Sequence, residues 1–144
     1  MSSKAFATVQ KSFVAETMST FSFLAREFAL AGPELQGVAL PVVAFVGRGI
    51  RYRIMLDTDD KLVMTRVEID LDAKRLVAEL ENLVQAAGLD ARNLVARSAP
   101  TLNALRHSLE SQARYVRLLQ PHMASENVVE LMRAANAREW NARS

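Results

Sequence analysis

The run from Ile50 to Leu71 constrains the fold most, because apolar and polar residues alternate along it on both sides of an Asp-Asp pair. Alternation of period two is typical of β-strands, and a slip of one residue would turn every side chain to the other face. If Asp59 and Asp60 form a two-residue turn, one face is almost entirely apolar. On that face Ile50, Tyr52, Ile54 and Leu56 lie opposite Ile69, Val67, Thr65 and Val63. The run therefore predicts a β-hairpin with one face toward a core.

The other face of this hairpin is charged. The same register, in which Thr58 faces Lys61 at the turn, places Arg51 opposite Glu68, Arg53 opposite Arg66 and Met55 opposite Met64 on this second face. A three-residue loop would instead pair Tyr52 with Arg66 and mix apolar with charged side chains on each face. The two-residue turn therefore gives the cleanest register, with the second face turned toward water or a partner.

A third strand precedes the hairpin. Val42 to Val46 is a short apolar run that follows Pro41 and is closed by Gly47-Arg48-Gly49. Proline at the start of a strand suits an edge or entry position. The sequence predicts an antiparallel meander of residues 42–46, 50–56 and 62–70. Residues 93–96 fit either a fourth strand or a helical turn.

The N-terminal segment predicts a long helix from Ser3 to Ala31, with apolar residues spaced by three to five positions. Five of the six phenylalanines lie in it, and its serines and threonines are poor helix formers. Such a helix needs tertiary or intersubunit packing to hold it. Gly32-Pro33 is predicted to end it.

The remaining helices are expected after the meander. Asp72 resembles the N-cap of a helix that Gly88 ends. Ser98 and Pro100 predict the start of another helix. Its apolar positions continue to Gln120, and Pro121 is expected to end it. Ser125 is expected to cap a last helix that reaches Trp140. The chain is thus predicted to form one α+β domain over residues 1–144, with a three-stranded, possibly four-stranded, antiparallel sheet covered by helices mainly on one face.

Composition limits the chemistry. The chain of 144 residues contains no cysteine, which excludes disulfides, thiolate metal sites and cysteine nucleophiles. The longest apolar run, residues 38–46, is too short to span a membrane and contains Pro41. A cytoplasmic protein without a membrane segment is expected.

Candidate catalytic and metal patterns are weak. Asp57, Asp59 and Asp60 lack the glycine and the distal glutamate of a calcium loop. His107 and His122 belong to no recognised ligand pattern, and neither a phosphate loop nor a Gly-x-Ser-x-Gly motif occurs. No catalytic residue, metal or cofactor is predicted, and a non-enzymatic role is favoured.

Apolar helices offer the first candidate surface. Aromatic anchors of the N-terminal helix and the seam of the helix at 101–120 exceed what a small sheet obviously needs. Gln112 falls within that seam, where a polar residue often fixes the register of a partner. The predicted protein interface consists of Phe6, Phe13, Phe21, Phe28, Leu105, Leu109, Gln112 and Val116. The alternative is that all of these fold inward as one core.

Arginine offers the second candidate surface. Fourteen of the eighteen cationic residues are arginine, which suits bidentate phosphate contacts. Residues 92–144 carry eight cationic side chains against four anionic ones, whereas residues 1–91 carry ten against twelve. A nucleic-acid-binding face would use Arg51, Arg53, Arg66, Arg106, Arg114 and Arg117. Against this, the net charge is only +2, and an arginine- and alanine-rich composition is what a GC-rich genome encodes.

The order of elements, a helix, a meander and further helices, resembles the general plan of bacterial secretion chaperones, dimeric proteins that hold an unfolded segment of a client. The resemblance lies in this order alone and implies a layout suited to binding. The sequence therefore favours a homodimeric protein-binding module of adaptor, chaperone-like or regulatory type. A nucleic-acid-binding regulator is the alternative.

Overall fold

A computed structural model describes residues 3–37 and 40–141, in which the chain forms one antiparallel sheet of six strands in the order β1-β2-β3-β4-β5-β6. The strands are β1 (Ala31–Gln36), β2 (Val42–Gly47), β3 (Ile50–Asp57), β4 (Leu62–Leu71), β5 (Lys74–Glu79) and β6 (Arg138–Asn141). The helices are α1 (Ser3–Phe21), α2 (Phe23–Phe28), α3 (Leu80–Ala86), α4 (Leu102–Met123) and α5 (Val128–Ala134), with a 3-10 turn at Arg92–Leu94. The α+β class is confirmed, but the predicted sheet of three or four strands was too small.

The central hairpin has the predicted register. Ile50 pairs with Ile69 and Arg51 with Glu68, and the pairing continues to Asp57 and Leu62. The predicted pair of Thr58 with Lys61 does not form, because the Asp57 carboxylate accepts hydrogen bonds from the backbone N–H groups of Asp59 and Asp60 at 2.9 and 3.0 Å. This local bond organises a four-residue loop in place of the two-residue turn.

The first strand was not predicted. The N-terminal helix was expected to reach Ala31, but Ala29 is left-handed at φ +59° and ends helical structure after Phe28. β1 then pairs with β2 at the edge of the sheet. A Cβ added at Gly32 would lie 2.7 Å from the Ala44 carbonyl oxygen, so this glycine permits close approach of two strands. Gly32 and Pro33, which we expected to end a helix, lie within an irregular edge strand.

The helix predicted from Asp72 to Gly88 was half wrong. Asp72 has φ +51° and forms a two-residue turn with Ala73, which returns the chain as β5 alongside β4. Leu76 and Ala78 are buried at strand spacing, and the helix begins only at Leu80. The apolar residues between 76 and 80 fit both the two-residue period of a strand and the 3.6-residue period of a helix. Pairing with the exposed edge of β4 selects the strand. Gly88, at φ +72°, ends α3 as predicted.

The C-terminal third also departs from prediction in its boundaries. The N-cap of α4 is Thr101, whose hydroxyl oxygen accepts from the Ala104 N–H at 3.2 Å, whereas Ser98 forms a bridge to the start of β4. The helix continues past Pro121 to Met123. Trp140, expected in a last helix, lies in β6, which pairs with β5.

The core lies between one face of the sheet and the pair α1 and α4. Tyr52, Ile54 and Leu56 of β3 are buried there against phenylalanines of α1 and leucines of α4. Helices from the two ends of the chain therefore close the same apolar face. None of the helices that the structure describes is both long and apolar enough to cross a bilayer.

Two leucines on α4 test this arrangement. Leu109 is fully buried, whereas Leu118 is 47% exposed. Leu109→Ala should lower the free energy of unfolding by about 2–5 kcal/mol, because it leaves a cavity under the sheet. Leu118→Ala serves as the control and should change it by less than about 1 kcal/mol. Urea titration followed by circular dichroism measures both, and equal effects would contradict the assigned face of α4.

Candidate functional site

The helix residues predicted as a protein interface belong to the core of this chain. Six of them are at most 6% exposed: Phe6, Phe13, Phe21, Leu105, Leu109 and Val116. A partner could reach these side chains only if α1 or α4 left the sheet. Phe28 is the exception, since it is half-buried and lines a cleft described below.

Gln112 has an internal role. Its side-chain oxygen accepts from the Thr65 hydroxyl at 2.8 Å, and its nitrogen donates to the carbonyl oxygens of Val63 and Ala96 at 2.9 and 2.8 Å. The amide thus fixes α4 against β4 and the preceding loop. The polar residue in the seam sets a register, but between elements of one chain.

The arginines proposed for nucleic acid are largely paired with carboxylates. On the sheet, Arg51 contacts Glu68 at 3.2 Å and Asp70 at 2.8 Å, Arg53 contacts Glu68 at 3.1 Å, and Arg66 contacts Glu79 at 2.9 Å. On α4, Arg106 pairs with Glu16 at 2.8 Å and Arg117 pairs with Glu27. Arg114 stacks over the Tyr115 ring at 4.7 Å. A phosphate would have to compete with these internal carboxylates.

The polar face of the sheet carries an ion-pair network of Arg51, Arg53, Glu68, Asp70 and Arg75, and beside it the separate pair of Arg66 with Glu79. Glu68 is its centre, with a side chain only 5% exposed between three arginines. Burial tends to raise the pKa of Asp70, but hydrogen bonds from Arg51 and Arg75 outweigh it and hold that pKa below its ordinary value. Asp70 is therefore charged at neutral pH, and the three carboxylates of this face lie within ion-pair distance of its four arginines.

An apolar cleft lies on the helix side, at the end of the sheet. The sheet-end cleft has a volume of about 680 Å³, within the range of binding pockets. Its walls come from the end of α2, the β2–β3 turn, the end of β4, the end of α4 and the start of α5. Its apolar lining includes Phe28, Leu30, Ile50, Ile69, Leu71, Met123, Val128 and Val129.

Local sequence explains the α2 wall. After Phe28 the left-handed Ala29 reverses the chain, and the Leu30 side chain is buried against the β2–β3 turn. A Cβ added at Gly47 would lie 2.8 Å from Leu30 Cδ2. The bare backbone of Gly47 therefore lets Leu30 sit close to the turn, which brings α2 to the edge of the cleft.

The interior of the cleft carries one polar group from the core. The Tyr52 hydroxyl donates to the side-chain oxygen of Gln120, and Gln120 also lines the cleft. Burial raises the pKa of Tyr52 well above its ordinary value, so its hydroxyl remains a donor. The Gln120 amide nitrogen donates no hydrogen bond to residues 3–37 or 40–141, which leaves it available to an acceptor in the cleft.

Charged side chains form the rim. Glu27 is paired with Arg117 on one side, and Asp70 is paired with Arg51 and Arg75 on the other. Arg48, in the β2–β3 turn, is exposed and lines the same cleft. The site therefore has an apolar centre, one amide donor and a charged edge.

The two histidines lie elsewhere. His107 is exposed on α4, while His122 lines a second, more polar pocket of about 480 Å³ with Ser125, Asn127 and Glu130. The part of the chain that the structure describes contains no group of three or more His, Asp or Glu residues placed to hold a metal ion.

Sequence reasoning missed the sheet-end cleft because its lining comes from segments far apart in the chain. The signals available were Phe28 at the end of a helix and the Gly-Arg-Gly turn, which we used only to bound a strand. Comparisons with protein-family models, curated proteins and solved structures found no match to this chain. Its function has to be inferred from its own geometry.

Tyr52→Phe tests the polar contact inside the cleft. Loss of the hydrogen bond to Gln120 should lower the free energy of unfolding at pH 7 by about 1 kcal/mol. The unfolded wild-type chain releases the Tyr52 proton near the ordinary pKa of about 10, whereas the native state retains it. Wild-type stability should therefore fall as pH rises through that value and beyond, and this contribution is absent from the variant.

Urea titrations between neutral pH and about pH 11 measure this difference. The stability advantage of the wild type over Tyr52→Phe should shrink above about pH 10. Tyr115 is present in both proteins and cancels in the comparison. Parallel stability curves across the range would contradict a buried Tyr52 hydroxyl.

Proposed function

We propose that this chain is a non-enzymatic protein-binding module, and that it holds an apolar side chain of a partner protein in the sheet-end cleft. The observation that carries the proposal is the lining: apolar side chains from β3, β4, α2, α4 and α5 surround a volume of about 680 Å³ that opens to solvent. Anchor residues of protein partners commonly fill such pockets and dominate the binding energy.

The rim supports a protein occupant. An apolar centre with charged residues at its edge is the arrangement of protein interfaces. The acidic residues of the edge are paired, Glu27 with Arg117 and Asp70 with Arg51 and Arg75, so their charges are already balanced before a partner arrives. Such pairs can set orientation at little cost in desolvation, while the apolar centre supplies affinity.

The proposal moves the binding surface relative to the sequence prediction. The phenylalanines of α1 and the leucines of α4 stabilise the chain itself, and of the predicted interface only Phe28 reaches the cleft. Whether the protein is a homodimer, as the sequence suggested, is measured separately by light scattering after size exclusion.

Blocking the cleft tests the proposal. Ala124 is exposed and lines the cleft at the C-cap of α4, with φ −87°, so it can accept a larger side chain without backbone strain. Ala124→Trp should fill the cleft and lower the affinity for apolar peptides at least about tenfold. The control is Ala15→Trp, an equal change at an exposed position of α1.

Binding is measured by fluorescence anisotropy with labelled, end-capped decapeptides that carry leucine, phenylalanine or methionine at the centre, against all-glycine-serine peptides. Circular dichroism checks that both variants fold. Equal binding by Ala124→Trp and wild type would remove the cleft as the site. Failure of wild type to bind any apolar peptide would overturn the protein-binding proposal, as would binding of single-stranded or duplex DNA in its place.

A further inference from the structure

Arg48 differs from the other charged residues that line the cleft. It lines the cleft, it is exposed, and it contacts no carboxylate within residues 3–37 and 40–141. The acidic residues of the rim, Glu27 and Asp70, are neutralised by other arginines. The cleft therefore presents one uncompensated positive charge beside its apolar centre.

The backbone at Arg48 gives independent support. Arg48 and Gly49 are the two central residues of the β2–β3 hairpin and have φ of +49° and +80°. Hairpin turns of this kind favour Asn-Gly or Gly-Gly, because residues with longer side chains are strained at positive φ. Backbone strain at such a position is a reason to look for a role of the side chain outside the fold.

We infer that the partner segment carries a carboxylate next to its apolar anchor, and that Arg48 binds this carboxylate while Gln120 donates to an oxygen of the same segment. This inference rests on the proposed function and specifies the class of partner: an apolar–acidic segment of a protein. The unpaired guanidinium and the unpaired amide nitrogen supply donors, and the apolar lining accommodates the neighbouring side chain.

The experiment compares three end-capped decapeptides that differ at one position, with central sequences Leu-Leu-Glu, Leu-Leu-Gln and Leu-Leu-Lys. Wild-type protein should bind the Glu peptide about fivefold more tightly than the Gln peptide at low salt, and the Lys peptide more weakly still. The preference should decrease as salt rises, because the contact is near the surface.

Substitutions at Arg48 separate its charge from its role in the turn. Asparagine and aspartate tolerate left-handed backbone, so Arg48→Asn and Arg48→Asp keep the hairpin. Arg48→Asn should abolish the preference for the Glu peptide, Arg48→Asp should reverse it toward the Lys peptide, and Arg48→Lys should retain most of it. Arg48→Asn should also melt at the same or a higher temperature than wild type, because it relieves strain at φ +49°.

A control removes equal charge elsewhere. Arg26 is exposed on α2 and does not line the cleft. Arg26→Gln should leave the peptide preference unchanged, and an equal loss in this variant would assign the effect to net charge and overturn the role of Arg48. Equal binding of the Glu and Gln peptides by wild type would overturn the inference but leave the cleft proposal standing. Absence of binding to all three peptides would overturn both.

Discussion

The apolar face of the sheet has to be covered, and the rest of the structure follows from how this chain covers it. Helices from opposite ends of the sequence, α1 and α4, meet on the face that Tyr52, Ile54 and Leu56 present. Two buried polar contacts fix α4 on that face: Gln112 with Thr65, and Gln120 with Tyr52. Buried polar contacts of this kind specify one alignment where apolar packing alone would allow several.

The cleft is a consequence of this cover. α2 ends at Phe28 and α5 begins at Val128. The last turn of α4, the start of β3 and the end of β4 therefore share an apolar region that neither short helix fills. Gln120 connects the two regions, because its side-chain oxygen accepts from Tyr52 in the core and the residue also lines the cleft. On the opposite face of the sheet, arginines and carboxylates balance each other around Glu68. The apolar cleft and the uncompensated charge of Arg48 thus lie together at the end of the sheet.

Sequence reasoning succeeded where the spacing of apolar residues fits only a strand, and failed where the spacing fits a strand and a helix equally well. The β3–β4 register followed from alternation and from the pairing of Arg51 with Glu68, and it is correct. Residues 74–79 were assigned to a helix because Leu76 and Leu80 also suit a spacing of four. β1 and β6 are edge strands, and all four residues of β6 are exposed, so neither carries an apolar pattern. The cleft depends on tertiary contacts among five segments, which no local pattern encodes.

The most direct measurement is a two-dimensional ¹⁵N–¹H NMR titration of the wild-type protein with the end-capped Leu-Leu-Glu decapeptide. The account predicts that amide shifts concentrate in residues 27–30, 47–50, 69–71 and 120–129, which contain the cleft lining. Amides of the polar sheet face near Arg53 and Arg66, and those of the outer surface of α1, should not move. Shifts confined to the polar face, or spread along α1, would contradict the assignment of the sheet-end cleft as the binding site.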